Sequence, residues 1–120
     1  MADRVLFISW GASVRGRETR GLEVFNDTMG MYGRMQQDGR IESFDVALMN
    51  PSTGMDGYIQ LHGSADQIAA IQNDEEFRRG LYDASLIVED LKMAVGYTNA
   101  AIAHEMEMYQ DAVQKVPQTA

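Results

Sequence analysis

The sequence predicts an α+β domain in which helices pack on one face of an antiparallel sheet. Three observations support this prediction: an almost unbroken apolar segment near the N-terminus, later segments that alternate between apolar and polar residues, and helical stripes between them. Alternation with period two indicates a strand, and apolar residues at every third or fourth position indicate a helix. The 120 residues suffice for one domain with its own core, so we treat residues 1–120 as a single domain.

The first strand and the first helix are predicted within the N-terminal third of the chain. Residues 5–10, Val-Leu-Phe-Ile-Ser-Trp, are almost all apolar, which is typical of a central strand covered on both faces. A long helix is predicted over 17–37. Its apolar stripe consists of Leu22, Phe25, Met29, Tyr32 and Met35. Gly21, Gly30 and Gly33 in this helix indicate either close approach of a neighbour or tolerated surface positions.

Two further strands are predicted to form a hairpin with a long loop. Residues 41–49 alternate and read as a half-buried or edge strand, and residues 50–56 are rich in turn-forming types. Residues 57–63, Gly-Tyr-Ile-Gln-Leu-His-Gly, follow as a strand with two different faces. Ile59 and Leu61 point toward the core because side chains alternate across a strand. The opposite face carries Tyr58, Gln60 and His62.

The remaining chain is predicted to contain two helical segments, a fourth strand and a last helix. A capping-box spacing begins at Ser64, and residues 73–76, Asn-Asp-Glu-Glu, offer a second helix start with acidic residues in its first turn. Residues 89–97 alternate as a strand, and a helix over 98–116 is expected to be capped by Thr98. The order is therefore strand, helix, strand, strand, helix, strand with an appended helix, which is the ferredoxin-like plan with a four-stranded antiparallel sheet.

A resemblance to a known family adds to this pattern. Residues 74–79, Asp-Glu-Glu-Phe-Arg-Arg, and residues 84–91, Ala-Ser-Leu-Ile-Val-Glu-Asp-Leu, lead into the last strand. With the order of elements, they resemble the dimeric α/β-barrel superfamily over residues 4–97, and most resemble its small uncharacterised bacterial members. The resemblance implies a homodimer whose sheets face each other. Members range from monooxygenases, isomerases and haem enzymes to proteins without known activity, and their catalytic signatures are not recognisable here.

Composition narrows the classes of partner. The net charge of -8 would repel nucleic acid and anionic membranes, so we expect neither as a partner. The chain has no cysteine, which excludes disulfides and thiolate sites and fits a cytoplasmic protein. Its two histidines, His62 and His104, lie on different predicted elements, so no metal site is expected. Phosphate-loop and dinucleotide fingerprints are missing, and no cofactor is expected.

The polar face of the strand at 57–63 is the first candidate site. His62 beside a carboxylate such as Asp45, with Tyr58 and Gln60 on the same face, has the composition of a general base with an orienting partner. Ser43 is the other residue that the neighbouring strand could place there. The alternative interpretation is that these groups are satisfied across a dimer seam or are simply solvated.

Two further candidates lie before the first helix. Trp10 ends the first strand and could frame a pocket by stacking on a planar ligand, or it could simply fill core volume. Arg15 and Arg17 belong to a basic cluster at a helix start, where anions are attracted. These arginines could instead be solvated or paired with Glu18 and Glu23.

The sequence therefore predicts a homodimeric small-molecule-binding or interaction protein, with a small aromatic or anionic organic ligand in a cleft between facing sheets. The alternative is a cofactor-free monooxygenase or isomerase acting on a small aromatic or acidic compound, with His62, Tyr58 and Asp45 as candidate catalytic residues. A purely structural module is the third class. The helix over 98–116 is expected to pack either on its own domain or across the dimer.

Overall fold

The computed structural model describes residues 2–51 and 53–119 of the chain. Strands and helices alternate in the predicted order, with two consecutive helices between the third and fourth strands. Their bounds are β1 Arg4–Trp10, α1 Glu18–Gln37, β2 Ser43–Leu48, β3 Gly57–Gly63, α2 Ala65–Gln72, α3 Glu75–Ser85, β4 Lys92–Tyr97 and α4 Ala100–Gln114. In the described part of the chain, no helix is both long and apolar enough to cross a membrane.

The four strands form one antiparallel sheet in the order β2-β3-β1-β4. β1 and β3 are the central strands, while β2 and β4 form the two edges. This order, with helices on one face, confirms the predicted ferredoxin-like fold. The loop predicted over 50–56 joins β2 to β3, and Ser52 within it lies outside the described residues.

The main core lies between the sheet and the first three helices. The sheet contributes side chains of β1 and β3 that point toward the helices, and each helix adds a few buried residues. The largest fully buried side chains are Leu6, Met35, Ile41, Leu61, Ile68, Ile71 and Phe77. Burial of this apolar surface is the main source of stability and holds the helices on one side of the sheet. The other side of the sheet is left without a helix.

Two polar caps fix the starts of α2 and α3. Ser64 and Gln67 form the predicted capping box, in which each side chain hydrogen-bonds the backbone of the other. Asp74 caps α3 by accepting the Phe77 N–H at 2.9 Å, and it also accepts a hydrogen bond from Arg40 at 2.8 Å. These donors stabilise the carboxylate, so they lower the pKa of Asp74.

The apolar stripe of α1 differs from the prediction. Leu22 was placed in the stripe but is 67% exposed, whereas Val24 and Met31 are buried. The reason is that α3 packs against the flank of α1, where Gly80 leaves room for the end of Met31. Of the α1 glycines, Gly33 has no neighbouring atom within 4 Å of the position that a Cβ would take, which matches a tolerated surface position.

α4 begins differently from the prediction and projects from the sheet. The N-cap is Asn99, which has a positive φ of 51° and makes no capping bond, so the prediction that Thr98 is the cap is wrong. The Asn99 side chain instead donates to the carbonyl of Ala2 at 2.7 Å. No residue of α4 is buried. The radius of gyration, 17.1 Å, exceeds the roughly 14 Å expected for a compact chain of this length, consistent with a projecting helix.

Candidate functional site on the open face of the sheet

The candidate site lies on the face of the sheet that no helix of the described chain covers. We call this surface the open face. The strand registers place these side chains together on it: Val5, Phe7 and Ser9 of β1, Tyr58, Gln60 and His62 of β3, Ser43, Asp45 and Ala47 of β2, and Lys92 and Ala94 of β4. The central strands therefore bring apolar, aromatic and titratable groups onto one surface. Its β1 and β3 side chains are half-buried, except for the buried Ser9.

A histidine–aspartate pair occupies one end of the open face. His62 lies opposite Ser43, and Asp45 lies opposite Gln60, so His62 and Asp45 are diagonal neighbours on two adjacent strands. The His62 Nε2 and Asp45 Oδ2 atoms are 2.7 Å apart. An ionised carboxylate can only accept hydrogen bonds, so Nε2 is the donor to Asp45, and Nδ1 is an acceptor when the ring is in its neutral form.

The two partners of this pair differ in exposure. The His62 side chain is 23% exposed, while the Asp45 side chain on the edge strand is 64% exposed. The carboxylate thus stays in contact with water, and the imidazole lies deeper against the sheet. This arrangement orients the ring and leaves its second nitrogen available to another molecule.

An aromatic pair occupies the other end of the open face. The rings of Phe7 and Tyr58 lie 5.5 Å apart at an angle of 43°. Tyr58 and His62 are four residues apart on β3, which separates them by roughly 13 Å along a strand. The phenol and the imidazole are therefore not neighbours. Gln60 lies between them, so the open face has an acid–base end, an amide in the middle and an aromatic end.

Trp10 lies on the opposite side of the sheet from His62 and Tyr58. Its indole ring contacts Phe25 of α1 edge to face, with ring centroids 6.4 Å apart. It also covers Gly57, its partner across the β1–β3 ladder. Trp10 lines an apolar cavity of about 60 Å³ between the sheet, α1 and α3, with Val24 and Leu81 among the other walls. One water needs about 10–15 Å³ of such volume, so this cavity has room for only a few water molecules.

The arginines before α1 also lie away from the open face. Arg17 donates to the carbonyl of Leu86 at 2.6 Å, which ties the start of α1 to the end of α3. Arg15 is exposed in the preceding loop. Glu18 already accepts the Gly16 N–H at 2.8 Å, so a carboxylate of the chain itself occupies this helix start. The structure thus separates Arg15, Arg17 and Trp10 from the open-face side chains of β3.

Sequence reasoning missed Phe7 as a member of the candidate site. Its position in an apolar run suggested a core residue, whereas its ring lies on the open face beside Tyr58. The period-two alternation of β1 could have placed Phe7 on the face opposite Leu6 and Ile8, which are both buried. In the described residues, no three His, Asp or Glu side chains converge as metal ligands.

Comparison with solved structures supports the fold. A dimeric protein of unknown function and ferredoxin-like fold from Bacteroides fragilis matches with a TM-score of 0.59 and 14% identity, covering 78% of this chain and 95% of that chain. SnoaB, a cofactor-independent oxygenase from Streptomyces nogalater, matches with a TM-score of 0.49 and 16% identity, covering 82% and 94%. No protein-family model and no curated protein sequence matches this chain. The Bacteroides fragilis match thus supports the ferredoxin-like fold.

Proposed function

We propose that this protein is a homodimer that binds a small planar organic molecule between two facing open faces. The observation that carries the proposal is the composition of this surface, where the Phe7–Tyr58 ring pair and the His62–Asp45 pair lie on one uncovered side of the sheet. A lack of cysteine and a net charge of -8 support a cytoplasmic setting and argue against nucleic acid as a partner.

The case for dimerisation rests on the apolar centre of the open face. Val5 and Phe7 lie on a central strand, and no helix of the described residues covers them. A sheet of this kind needs an apolar cover on the side that carries such residues. The open face of a second copy is such a cover, since an isologous contact about a twofold axis brings two identical surfaces together. The matched Bacteroides fragilis protein is itself described as dimeric, which supports dimerisation here.

The chemistry of the open face defines the class of ligand. The rings of Phe7 and Tyr58 suit stacking on an aromatic system, and Gln60 offers both an amide donor and an amide acceptor. Nδ1 of neutral His62 accepts a hydrogen bond from a hydroxyl group. A flat aromatic compound with a phenolic or enolic hydroxyl satisfies all three features.

The His62–Asp45 pair also favours a second function, which is cofactor-free acid–base catalysis. In that reaction Nδ1 takes a proton from the hydroxyl or from an acidic carbon of the ligand, leaving a phenolate or enolate. The imidazolium that forms keeps its Nε2–H hydrogen bond to Asp45, whose charge stabilises it at 2.7 Å. Isomerisation by return of the proton to another carbon, or reaction of the anion with oxygen, could follow.

Ligand-observed NMR with a panel of hydroxylated naphthoquinones and hydroxylated aromatic acids tests the binding proposal. Tyr58→Leu should weaken binding of a hit by about 3- to 10-fold, the loss expected for an aromatic contact. His62→Gln should weaken it by about 10-fold or more, because a hydrogen bond from the ligand is lost. His104→Gln is the matched control, since this residue is exposed on a helix.

Trp10 provides an independent readout of where the ligand lies. It is the only tryptophan and faces the helices, so binding on the open face should leave its emission unchanged. A hit that quenches Trp10 and binds equally well to Tyr58→Leu and His62→Gln would place the ligand elsewhere and refute the proposal. A stable monomer at micromolar concentration in sedimentation experiments would refute the homodimer.

A further inference from the structure

We infer that α4 is an exchanged arm, which packs across the homodimer into a groove beside β4 of the second copy. This inference rests on the proposed homodimer and assigns a role to α4, the helix with no buried residue. The groove and the apolar stripe of α4 are separate surfaces of the same chain, and each is left exposed.

The first step is the exposed apolar stripe of α4. Its residues recur at three- and four-residue intervals on one side of the helix: Ile102, Met106, Tyr109 and Val113, with Val116 just beyond the helix end. Ile102 and Met106 are each 49% exposed, and no residue of the helix is buried. An amphipathic helix whose apolar side meets water is unusual in a folded protein, and such surfaces mark interaction sites.

The second step is the groove, which we call the β4 groove. It lies between α3 and the start of β4, has a volume of about 330 Å³, and is lined by Arg78, Leu81, Tyr82, Ser85 and Leu91. Beside it on β4, Met93 and Val95 share the strand face of Leu91 and are each 43% exposed, so we include them in the name. β4 is an edge strand, and an uncovered apolar edge favours association with another chain.

The third step is the fit between helix and groove. α4 has 15 residues and is therefore about 22 Å long, while the six residues of β4 extend over about 20 Å. Among the acidic residues of α4, Glu105 lies beside the stripe, next to Met106. On the groove wall, the Arg78 side chain has no hydrogen bond or ion pair to any described residue. The two surfaces are thus complementary in length, in apolar character and in charge.

The fourth step explains why the helix of the same chain does not occupy the groove. The turn between β4 and α4 is held to the N-terminal segment by two hydrogen bonds, from Thr98 N to the Asp3 carbonyl at 3.0 Å and from Asn99 Nδ2 to the Ala2 carbonyl at 2.7 Å. These bonds direct α4 away from its own β4 groove. A second copy can receive the helix without a change in this turn.

Cysteine cross-linking tests the exchange directly, because the chain contains no native cysteine. Two full-length single variants, Met106→Cys on the stripe and Val95→Cys in the β4 groove, are mixed and treated with a short bismaleimide. We expect a covalent heterodimer from this pair. His104→Cys is the matched control, since it lies on the opposite side of α4 and should give only background cross-linking with Val95→Cys.

Sedimentation equilibrium separates failure of the arm from failure of the homodimer. Met106→Glu should raise the dimer dissociation constant at least tenfold, whereas His104→Glu should leave it within about twofold. A wild-type dimer that gives no Met106–Val95 cross-link, and whose dissociation constant is unchanged by Met106→Glu, would overturn the arm and leave the facing-sheet dimer standing. A monomeric wild type would overturn both. An intramolecular cross-link in the dilute double variant Met106→Cys, Val95→Cys would show that α4 folds back on its own chain and would also overturn the exchange.

Discussion

Replacement of Gly57 by alanine should destabilise the fold by displacing Trp10. Gly57 is buried at the start of β3 and pairs with Trp10 across the ladder. A Cβ built on Gly57 would lie 2.4 Å from Cζ2 of Trp10 and 2.9 Å from the carbonyl oxygen of Ala47. Carbon atoms in contact normally stay about 3.5–4.0 Å apart, so the indole must move by about 1 Å. The Ala47 oxygen belongs to the backbone of β2 and cannot move without disturbing the β2–β3 ladder.

The expected loss in the free energy of unfolding is the difference between two opposing contributions. Overpacking of this kind costs about 1–3 kcal/mol. Alanine also lowers the conformational entropy of the unfolded chain relative to glycine, and this effect offsets about 0.4–1 kcal/mol of the overpacking cost. The net loss should be about 1–2 kcal/mol in the free energy of unfolding, which lowers the melting temperature by about 4–8 °C for a chain of this size.

Urea unfolding monitored by circular dichroism measures this loss, and the emission of Trp10 reports the movement of the indole ring. Gly33→Ala is the matched control, because the new methyl group meets no atom within 4 Å inside a helix. The control should raise stability by about 0.5–1 kcal/mol through helix propensity. If Gly57→Ala were as stable as the wild type and kept its Trp10 emission, the indole would not lie over Gly57 and the reasoning would be refuted.

Two further predictions concern pH. Burial raises the pKa of Tyr32 above its ordinary value, so the unfolded chain loses this proton first and stability should fall as the pH rises above about 10; urea titrations between pH 8 and 11 should show a flatter decline for Tyr32→Phe, and an identical decline would contradict the burial argument. The pKa of Asp74 is lowered by the Phe77 N–H and by Arg40, so its contribution should be present above about pH 4 and lost as the pH falls below it. Asp74→Ala should cost about 1 kcal/mol at pH 7 and flatten the acid decline, whereas Asp74→Asn should keep the cap and lose only the pH dependence; equal stability of the wild type and Asp74→Ala at pH 7 would refute the capping role.

The order of elements could be predicted because local patterns decide it. β3 has glycine at both ends and strict alternation between them, and its observed bounds match the prediction. The capping box at Ser64 likewise depends on residues three positions apart. Signals of this kind act within one element, so they are readable before any tertiary contact is known.

The predictions that proved wrong concern residues whose burial or capping role is set by contacts with another element. The stripe of α1 is rotated toward Val24 and Met31 because α3 packs on its flank, and no local periodicity reports that contact. Thr98 has a suitable side chain for a cap, but its backbone bonds to Asp3, and Asn99 becomes the N-cap instead. These positions are set by tertiary contacts, which override local propensity.

The candidate site was predictable only in part for the same reason. Alternation placed Tyr58, Gln60 and His62 on one face of their strand. The partner of His62 depends on the β2–β3 register, which selects Asp45 as the diagonal neighbour and leaves Ser43 directly opposite. Trp10 was grouped with this face as a ligand-binding candidate, yet its position in the strand turns it toward the helices.

The position of Asp45 on an edge strand makes the site sensitive to local opening of the sheet. β2 has a strand neighbour on one side only, whereas β3 is held by β1 as well. Edge elements with solvent-exposed hydrogen bonds open at a lower free energy than central strands do. Opening of β2 alone would separate the carboxylate from the imidazole while the β1–β3 ladder and the core stay intact. The ring orientation of His62 is thus coupled to the opening that hydrogen exchange of the β2 amides would report, and a variant that loosens this strand can lose the candidate site while its global melting temperature remains unchanged.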